Sequence, residues 1–537
     1  MGTLLKRLVV LIPAVMLQGL WLFLLTEWLA PFAGILTFLL SIFAGIIVIY
    51  IITKHDEGAY KILWLLVILM WPIPGTVLYL LFGNRKTGKP LHVRLEKAKM
   101  PRNETVWNES NKLCDEIERE DKRFAQTMRA IQRVSTFPVF RGKGIKYYPI
   151  GEELYARMIE ELKTAESQIM AEYFIVESGK MWDSMVEIMS EKVKQGVEVR
   201  VMYDDLGSIS TYSAKELKNL RAKGIKCIRF NPIVGLHGTA NYRDHRKMLI
   251  IDGRIAFSGG VNIADEYINE KEKYGHWKDI GFCIEGKAVL NYARMFAEFW
   301  NAFSDDKISE DRLLKGAARI LEVCPTTLLT QDSESKNAEE CCETNSANVG
   351  REEEGGDGYV LSYYDSPVAV ANISNDMFID LLAQATDYAW FYTPYLLLGE
   401  SLQEAFVNAA RRGVDVRIIV PGIPDKKMVF RMTRSYYGVL MEAGVRIYEY
   451  TPGFIHAKAS IIDDKVATVG TVNLDYRSLF LHYENNTIFY KTSLLQDLKA
   501  DFIKTQNLSY ERTKDNIKGS LAKWLFDGLL RILAPLC

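Results

Sequence analysis

No charge of either sign dominates this chain: 66 Lys and Arg stand against 67 Asp and Glu, a formal net charge of −1. A dedicated nucleic-acid binder usually carries a basic excess, so no nucleic-acid partner is expected. Cysteine is scarce and scattered. The seven, Cys114, Cys227, Cys283, Cys324, Cys341, Cys342 and Cys537, are odd in number, irregular in spacing and contain no C-x2-C pair. Neither a disulfide framework nor a zinc site is indicated, and loose thiols suit a reducing compartment. Histidine is equally scarce, with seven in the chain.

Those few histidines are not distributed at random. His245-Arg246-Lys247 leads through an apolar run to Asp252, and His456-Ala457-Lys458 leads through another to Asp463. Both copies read His-x-Lys-x4-Asp. Each is followed by a small-residue turn and an Asn, Asn262 and Asn473, seventeen positions past the His. For a given His, a chance Lys at +2 and Asp at +7 has a probability of roughly a few in a thousand. The run after each Lys is patterned as a strand, so His and Lys, two apart, share a face. An imidazole can serve as nucleophile or general acid/base, and a Lys beside it can hold a phosphate oxygen. One copy is half a site. Two copies facing each other hold a phosphodiester between two His and two Lys. The Asp lies at an odd offset from the Lys and is expected to face away and fix the motif's backbone.

The surrounding units repeat as well. A helix, an apolar strand (169–176), a second helix and the segment Gly196-Val197-Glu198-Val199-Arg200 precede the first motif. The same order, with a strand near 389–395 and Gly413-Val414-Asp415-Val416-Arg417, precedes the second. Alternating helices and apolar strands signal α/β layers, and the matched pieces signal duplication. Two pseudo-symmetric halves would set both motifs across one central cleft. Acidic residues at matching places, Asp279 in Trp277-Lys278-Asp279 and Glu484 in His482-Tyr483-Glu484, follow the two motifs.

Three uncharged stretches, 8–25, 28–52 and 62–82, open the chain, each near bilayer-spanning length. Two to three transmembrane helices are expected, the third kinked or re-entrant at Pro72 and Pro74. The basic cluster from Arg85 to Lys99 favours a cytoplasmic catalytic domain on a multi-pass protein of the cell membrane. The expected division is a membrane anchor at 1–84, a charged helical connector at 85–135, a first repeat at 136–328, a disordered linker at 329–358, a second repeat at 359–510 and an amphipathic tail at 511–537. In the tail, Leu521, Trp524, Leu525, Leu529 and Ile532 share one helical face, which suits either packing on the protein or lying on a bilayer.

The motif pair resembles the phospholipase D superfamily, and its detail resembles the bacterial cardiolipin synthases. The carrying residues are the two His-x-Lys-x4-Asp runs, Gly259-Gly260-Val261-Asn262, Asn473-Leu474-Asp475-Tyr476-Arg477-Ser478 and the Trp71-Pro72-Ile73-Pro74-Gly75 anchor segment. Thr471 departs from the Ser that many relatives carry there, but keeps a hydroxyl. The resemblance implies two phospholipase D-like α/β repeats and cofactor-free transfer of a phosphatidyl group between two phosphatidylglycerols. It implies His245 as nucleophile and His456 as acid/base. Lys247 and Lys458 would hold the phosphoryl oxygens, helped by Asn262 and Asn473, and Asp279 and Glu484 would orient the histidines. Asp252 and Asp463 complete the motif set. The alternatives are a phospholipase D, a nuclease of the same superfamily, or a non-enzymatic membrane scaffold. The sequence does not specify an oligomeric state.

Overall fold

The computed structural model describes residues 16–24, 33–54, 57–83, 89–232, 241–310, 312–313, 356–369, 371–513 and 521–534. The chain divides into two compact units, residues 1–92 with 519–537, and residues 93–518.

The smaller unit is helical. Ala33–Thr53 is a 21-residue helix without a charged side chain. The next helix, Gly58–Met70, stops after 13 residues. Trp71 precedes a proline and sits at φ −138°, ψ 81°, outside the helical region, as the steric demand of Pro72 requires. A new helix, Pro72–Leu78, then starts on that proline and runs into the π-helical turn Tyr79–Gly83. The third apolar stretch is therefore broken, and Gly58–Met70 alone spans about 20 Å, short of a bilayer core. Some side chains of Ala33–Thr53 fall outside the described residues. Among the described residues no helix is long and apolar enough to cross a membrane, so the expected spans are not established. The stretch 8–25 falls largely outside them too. The expected amphipathic tail forms a helix, Leu521–Leu533, which packs against Gly58–Met70 with Leu530 buried and Phe526 and Leu529 exposed.

The larger unit holds two sheets of related order. In the first, strands run Lys146–Tyr148, Gly281–Glu285, Ile255–Gly259, Met248–Ile251, Gln168–Tyr173, Glu198–Asp204, Lys226–Phe230 across seven positions. The second sheet has ten strands. Its central run, His482–Tyr490, Val466–Gly470, Ala459–Ile462, Tyr388–Tyr392, Asp415–Pro421, Arg446–Tyr450, repeats the first in order and direction. Parallel pairs such as Gln168–Tyr173 with Glu198–Asp204 are joined by helices, here Lys180–Lys194, as a parallel connection demands. Central strands such as Gln168–Tyr173 are buried at every position, with helices of the same half, Val289–Phe303 among them, packed on them.

The segment expected as a connector is part of this unit. Helices Glu104–Glu120 and Lys122–Ser135 cap the second sheet: Phe124 stacks on Tyr490 at 4.3 Å, and Gln384 donates to Thr127. Residues 314–355, most of the expected linker and with it Cys341 and Cys342, lie outside the described residues.

Candidate active site

Each motif begins with a short extended segment that crosses to the other half. Arg243–Asp244 pairs in parallel with His482 and Tyr483. Gly453–Ile455 pairs in parallel with His276–Lys278. The exchange is reciprocal, and it is carried one residue further by the histidine backbones: His245 N–H donates to Tyr483 O at 2.9 Å, and His456 N–H donates to Lys278 O at 2.7 Å. The residue after Tyr483 is Glu484, and the residue after Lys278 is Asp279. Each motif histidine therefore meets a carboxylate from the opposite half. His245 Nδ1 lies 2.9 Å from both Glu484 oxygens, and His456 Nδ1 lies 2.6 Å from Asp279 Oδ2.

These contacts fix the rings. With Nδ1 engaged, Nε2 of each imidazole is left for chemistry. Both rings are buried, at 9% and 7% exposure. Burial, reinforced by Lys247, pushes His245 well below the usual imidazole range. Burial and Lys458 bring His456 down to about 4, against the opposing pull of Asp279. Burial likewise pushes Glu484 up, while Lys247 and the Thr471 hydroxyl draw it down. Thr471 Oγ1 donates to Glu484 Oε2 at 2.5 Å, a bond that works against burial by favouring the carboxylate form.

The two lysines enter in the same way. Lys247 Nζ donates to His245 O at 2.7 Å, and Lys458 Nζ donates to His456 O. Both are buried. Desolvation lowers Lys247 to about 8 and Lys458 to about 7, with Asp279 and Glu484 holding them up. A buried ammonium in that range gains from any anion placed beside it.

The two halves differ at the turn behind the carboxylates. A Cβ at Gly260 would lie 2.1 Å from Asp279 Oδ1, so the first half needs glycine there for Asp279 to approach. The second half has Thr471 at the matching place, and its hydroxyl is a ligand of Glu484. Thr471 is thus tied directly to the site.

Asp252 and Asp463 lie elsewhere. Seven residues at about 3.3 Å each put Asp252 roughly 20 Å along from His245. Both sit in the left-handed region, at φ 56° and φ 52°. Asp252 accepts from the backbone N–H groups of Glu166, Ser167 and Gln168, and Asp463 from those of Thr386, Asp387 and Tyr388. Each carboxylate ties the far turn of its motif to the start of the neighbouring strand. Neither touches the histidines. The asparagines also separate. Asn262 spends its amide on Ile175 N and on Tyr267 OH, whereas Asn473 Oδ1 is buried without a partner among the described residues.

Several supporting residues are not marked by the repeat. Asn485 accepts from Lys247 N and donates to Ser258 Oγ, which in turn donates to Lys247 O. Phe174 packs edge-on to His245 at 4.8 Å, and Tyr267 to His456 at 5.4 Å. Beneath them, Arg243 is held by Asp204, and Arg246 by Asp244 and Glu172 with its guanidinium 3.4 Å over Phe299. Asn485 directly follows Glu484, so its nearness to the site is the part a sequence could have signalled. His237 lies outside the described residues, as does His55.

The family model described as "Cardiolipin synthase, PLD-like domain" matches residues 158–300 and 378–505, the two stretches that carry this site. The chain belongs to the phospholipase D-like cardiolipin synthase family. A second family model, for a phospholipase D-nuclease N-terminal region, matches residues 39–84. Relatives extend the likeness over nearly the whole chain. The cardiolipin synthase of Alkalihalophilus pseudofirmus is 30% identical over 483 residues, covering 89% of this chain and 88% of its own. That of a Geobacillus species is 31% identical over 519 residues, 95% of each. An uncharacterized protein of Streptococcus mutans is 38% identical over 491 residues, 91% of this chain and 99% of its own. Among solved structures, phosphatidylserine synthase of Haemophilus influenzae shares the fold with a TM-score of 0.53 at 16% identity, over 76% of this chain and 97% of that one. For this cardiolipin synthase-family chain, the expected α/β architecture of two related halves is borne out.

Proposed function

We propose that the protein is a cardiolipin synthase that transfers a phosphatidyl group from one phosphatidylglycerol to another through a phosphatidyl-histidine. The single observation that supports it best is the reciprocal completion of two histidines by carboxylates of the opposite half, with a lysine beside each.

His245 Nε2 attacks phosphorus, and the P–O bond to the headgroup glycerol breaks. His456, protonated at Nε2, gives its proton to the departing glycerol oxygen. Asp279 supports that imidazolium, which the dry site otherwise disfavours. The neutral His456 then takes the proton of a hydroxyl on a second phosphatidylglycerol. That oxygen attacks phosphorus, the P–N bond to His245 breaks, and cardiolipin leaves. Splitting one displacement into two in this way lowers each barrier. Lys247 and Lys458 neutralise the phosphoryl oxygens, and the substrate's charge in turn restores their protons. The histidines' burial keeps competing water scarce around the intermediate.

Membrane attachment belongs to the same reading. The helix Ala33–Thr53 exposes Ile35, Phe38, Ile42, Ile46 and Ile49, large apolar side chains that suit lipid contact. The basic residues that follow favour the cytoplasmic side.

Purified protein in detergent with phosphatidylglycerol as the only lipid, and with a chelator present, tests the reading. Cardiolipin and free glycerol in equal amounts are expected, and both disappear in His245→Ala and in His456→Ala. Phosphatidic acid as the only product would overturn transfer in favour of hydrolysis.

A further inference from the structure

The two histidine–carboxylate pairs are anchored at different members. In the first, the histidine itself is bracketed. Arg246 Nε donates to Asp244 Oδ1 at 2.9 Å, and Arg246 Nη2 donates to Glu172. The guanidinium also lies 3.4 Å over Phe299, and Asp244 N–H donates to Asp204 Oδ2 at 3.0 Å. The residues on either side of His245 are thus tied to each other, to strand Gln168–Tyr173 through Glu172 and to strand Glu198–Asp204 through Asp204. Asp244, Arg246 and Glu172 are all buried.

The second motif offers the comparison. Its brackets are Ile455 and Ala457. Strand register places Tyr392 where Glu172 stands: Glu172 pairs with Met248, one past Lys247, and Tyr392 pairs with Ala459, one past Lys458. On the His456 side a buried ion pair, Lys278 with Asp501, adjoins the carboxylate Asp279 in the chain instead. Burying charged groups is costly, and uncharged side chains at the same three places serve the second half, so the fold alone does not account for the cluster around His245. Its charge can balance. Burial pushes Glu172 well above the usual carboxyl range, against the pull of Arg246. With Glu172 protonated, one carboxylate, Asp244, faces one guanidinium.

We propose that Asp244, Arg246 and Glu172 are positioning residues for the covalent step, holding the His245 ring in line with phosphorus while His456 keeps the latitude to serve two oxygens in turn. The assignment rests on the functional reading above. An attacking nitrogen has to meet phosphorus opposite the leaving oxygen, and a misplacement of about 1 Å costs about a hundredfold. His456 gives a proton to the departing glycerol and takes one from the entering hydroxyl. A ring held through Nδ1 and its own backbone N–H is enough for that.

Three variants of the full chain test the assignment. Asp244→Ile with Arg246→Ala places the brackets of His456 around His245. Arg246→Lys keeps the buried cation, and with it the fold, but loses the planar fork that reaches both carboxyls. Glu172→Gln keeps an acceptor for Arg246 and matches the protonated side chain in charge. Steady-state kinetics with phosphatidylglycerol in detergent is combined with the rate of adduct formation on His245 after an alkaline quench and with a melting curve. Arg246→Lys and the double variant are expected to lower both kcat and the adduct rate, per folded molecule, at least about tenfold, with KM within about twofold. Glu172→Gln is expected within about twofold of wild type on every readout. Unchanged rates in folded Arg246→Lys, a rise in KM at constant kcat, or activity falling only in step with the folded fraction would overturn the assignment. Turnover by the wild type without an adduct on His245 defeats the covalent reading, and the kcat of the variants then still decides whether the cluster positions the histidine. An adduct on His245 that forms equally fast in wild type and Arg246→Lys defeats the positioning alone.

Discussion

Replacing Glu484 by Gln removes one negative charge and changes almost no volume, yet it alters which nitrogen of His245 carries the proton. The same holds for Asp279→Asn and His456. Each substitution is expected to lower kcat by up to about 10⁴-fold, the loss found when a carboxylate that fixes a catalytic histidine's tautomer is neutralised. Steady-state kinetics alongside a melting curve checks this, and a loss explained by unfolding would contradict it. The lysines predict a pH profile. In the substrate-free protein Lys458 titrates at about 7 and Lys247 at about 8. Raising the pH through that window removes the ammonium charges, so kcat/KM should fall on the alkaline side between about 7 and 8. Bound phosphate raises both values, so the limb in kcat should lie at higher pH. Stability has the opposite dependence. His456 is depressed to about 4 in the folded protein, against about 6.5 unfolded. The unfolded chain binds the extra proton between these values, so the melting temperature should fall as pH drops from 6.5 toward 4.

Strand exchange is the device that turns two repeats into one site. Arg243–Asp244 and Gly453–Ile455 are only two and three residues long, but each carries its histidine to the other half's carboxylate. Further ties hold the halves in register. Lys278 Nζ donates to both oxygens of Asp501 at 2.9 and 3.0 Å and to Pro149 O, while Tyr147 and Tyr392 donate to the same carboxylate. Lys278→Ala would leave that carboxylate buried without its cation. A loss of about 3–5 kcal/mol is expected by denaturant unfolding, because one partner of a buried pair is removed. Asp252→Ala should behave differently from Glu484→Gln. It frees three backbone N–H groups at the far turn, so its main effect should appear as lower melting temperature, with kcat per folded molecule reduced far less.

At the scale of the molecule, much was legible because duplication leaves two copies to compare. The matched runs at Gly196 and Gly413 revealed the halves, and the shared spacing of the His245 and His456 motifs marked where the proposed site lies. The places of Asp279 and Glu484 were visible too, but not that they cross over, because the crossing is made by backbone pairing whose signal is spread over two distant segments. Asp252 and Asp463 belong to the motif by spacing alone. Their odd offset from the Lys already turned them away from the phosphate and toward the backbone, whereas the three N–H groups that each holds are evident only in the structure. The broken helix at Trp71 follows from Pro72, whereas the capping of the second sheet by Glu104–Glu120 and Lys122–Ser135 could not be read from their charged composition. The halves are stitched by strand pairs and buried ion pairs, so a single cut within 314–355 should leave activity intact in the nicked protein.

The most direct measurement is the covalent adduct itself. Wild-type protein is mixed with phosphatidylglycerol, quenched in alkali to preserve a P–N bond, and the modified residue located by mass spectrometry. The adduct is expected on His245, forming at least about a hundredfold more slowly in Glu484→Gln, a substitution in the other half of the chain. An adduct on His456, or one forming at an undiminished rate without Glu484, would contradict the account.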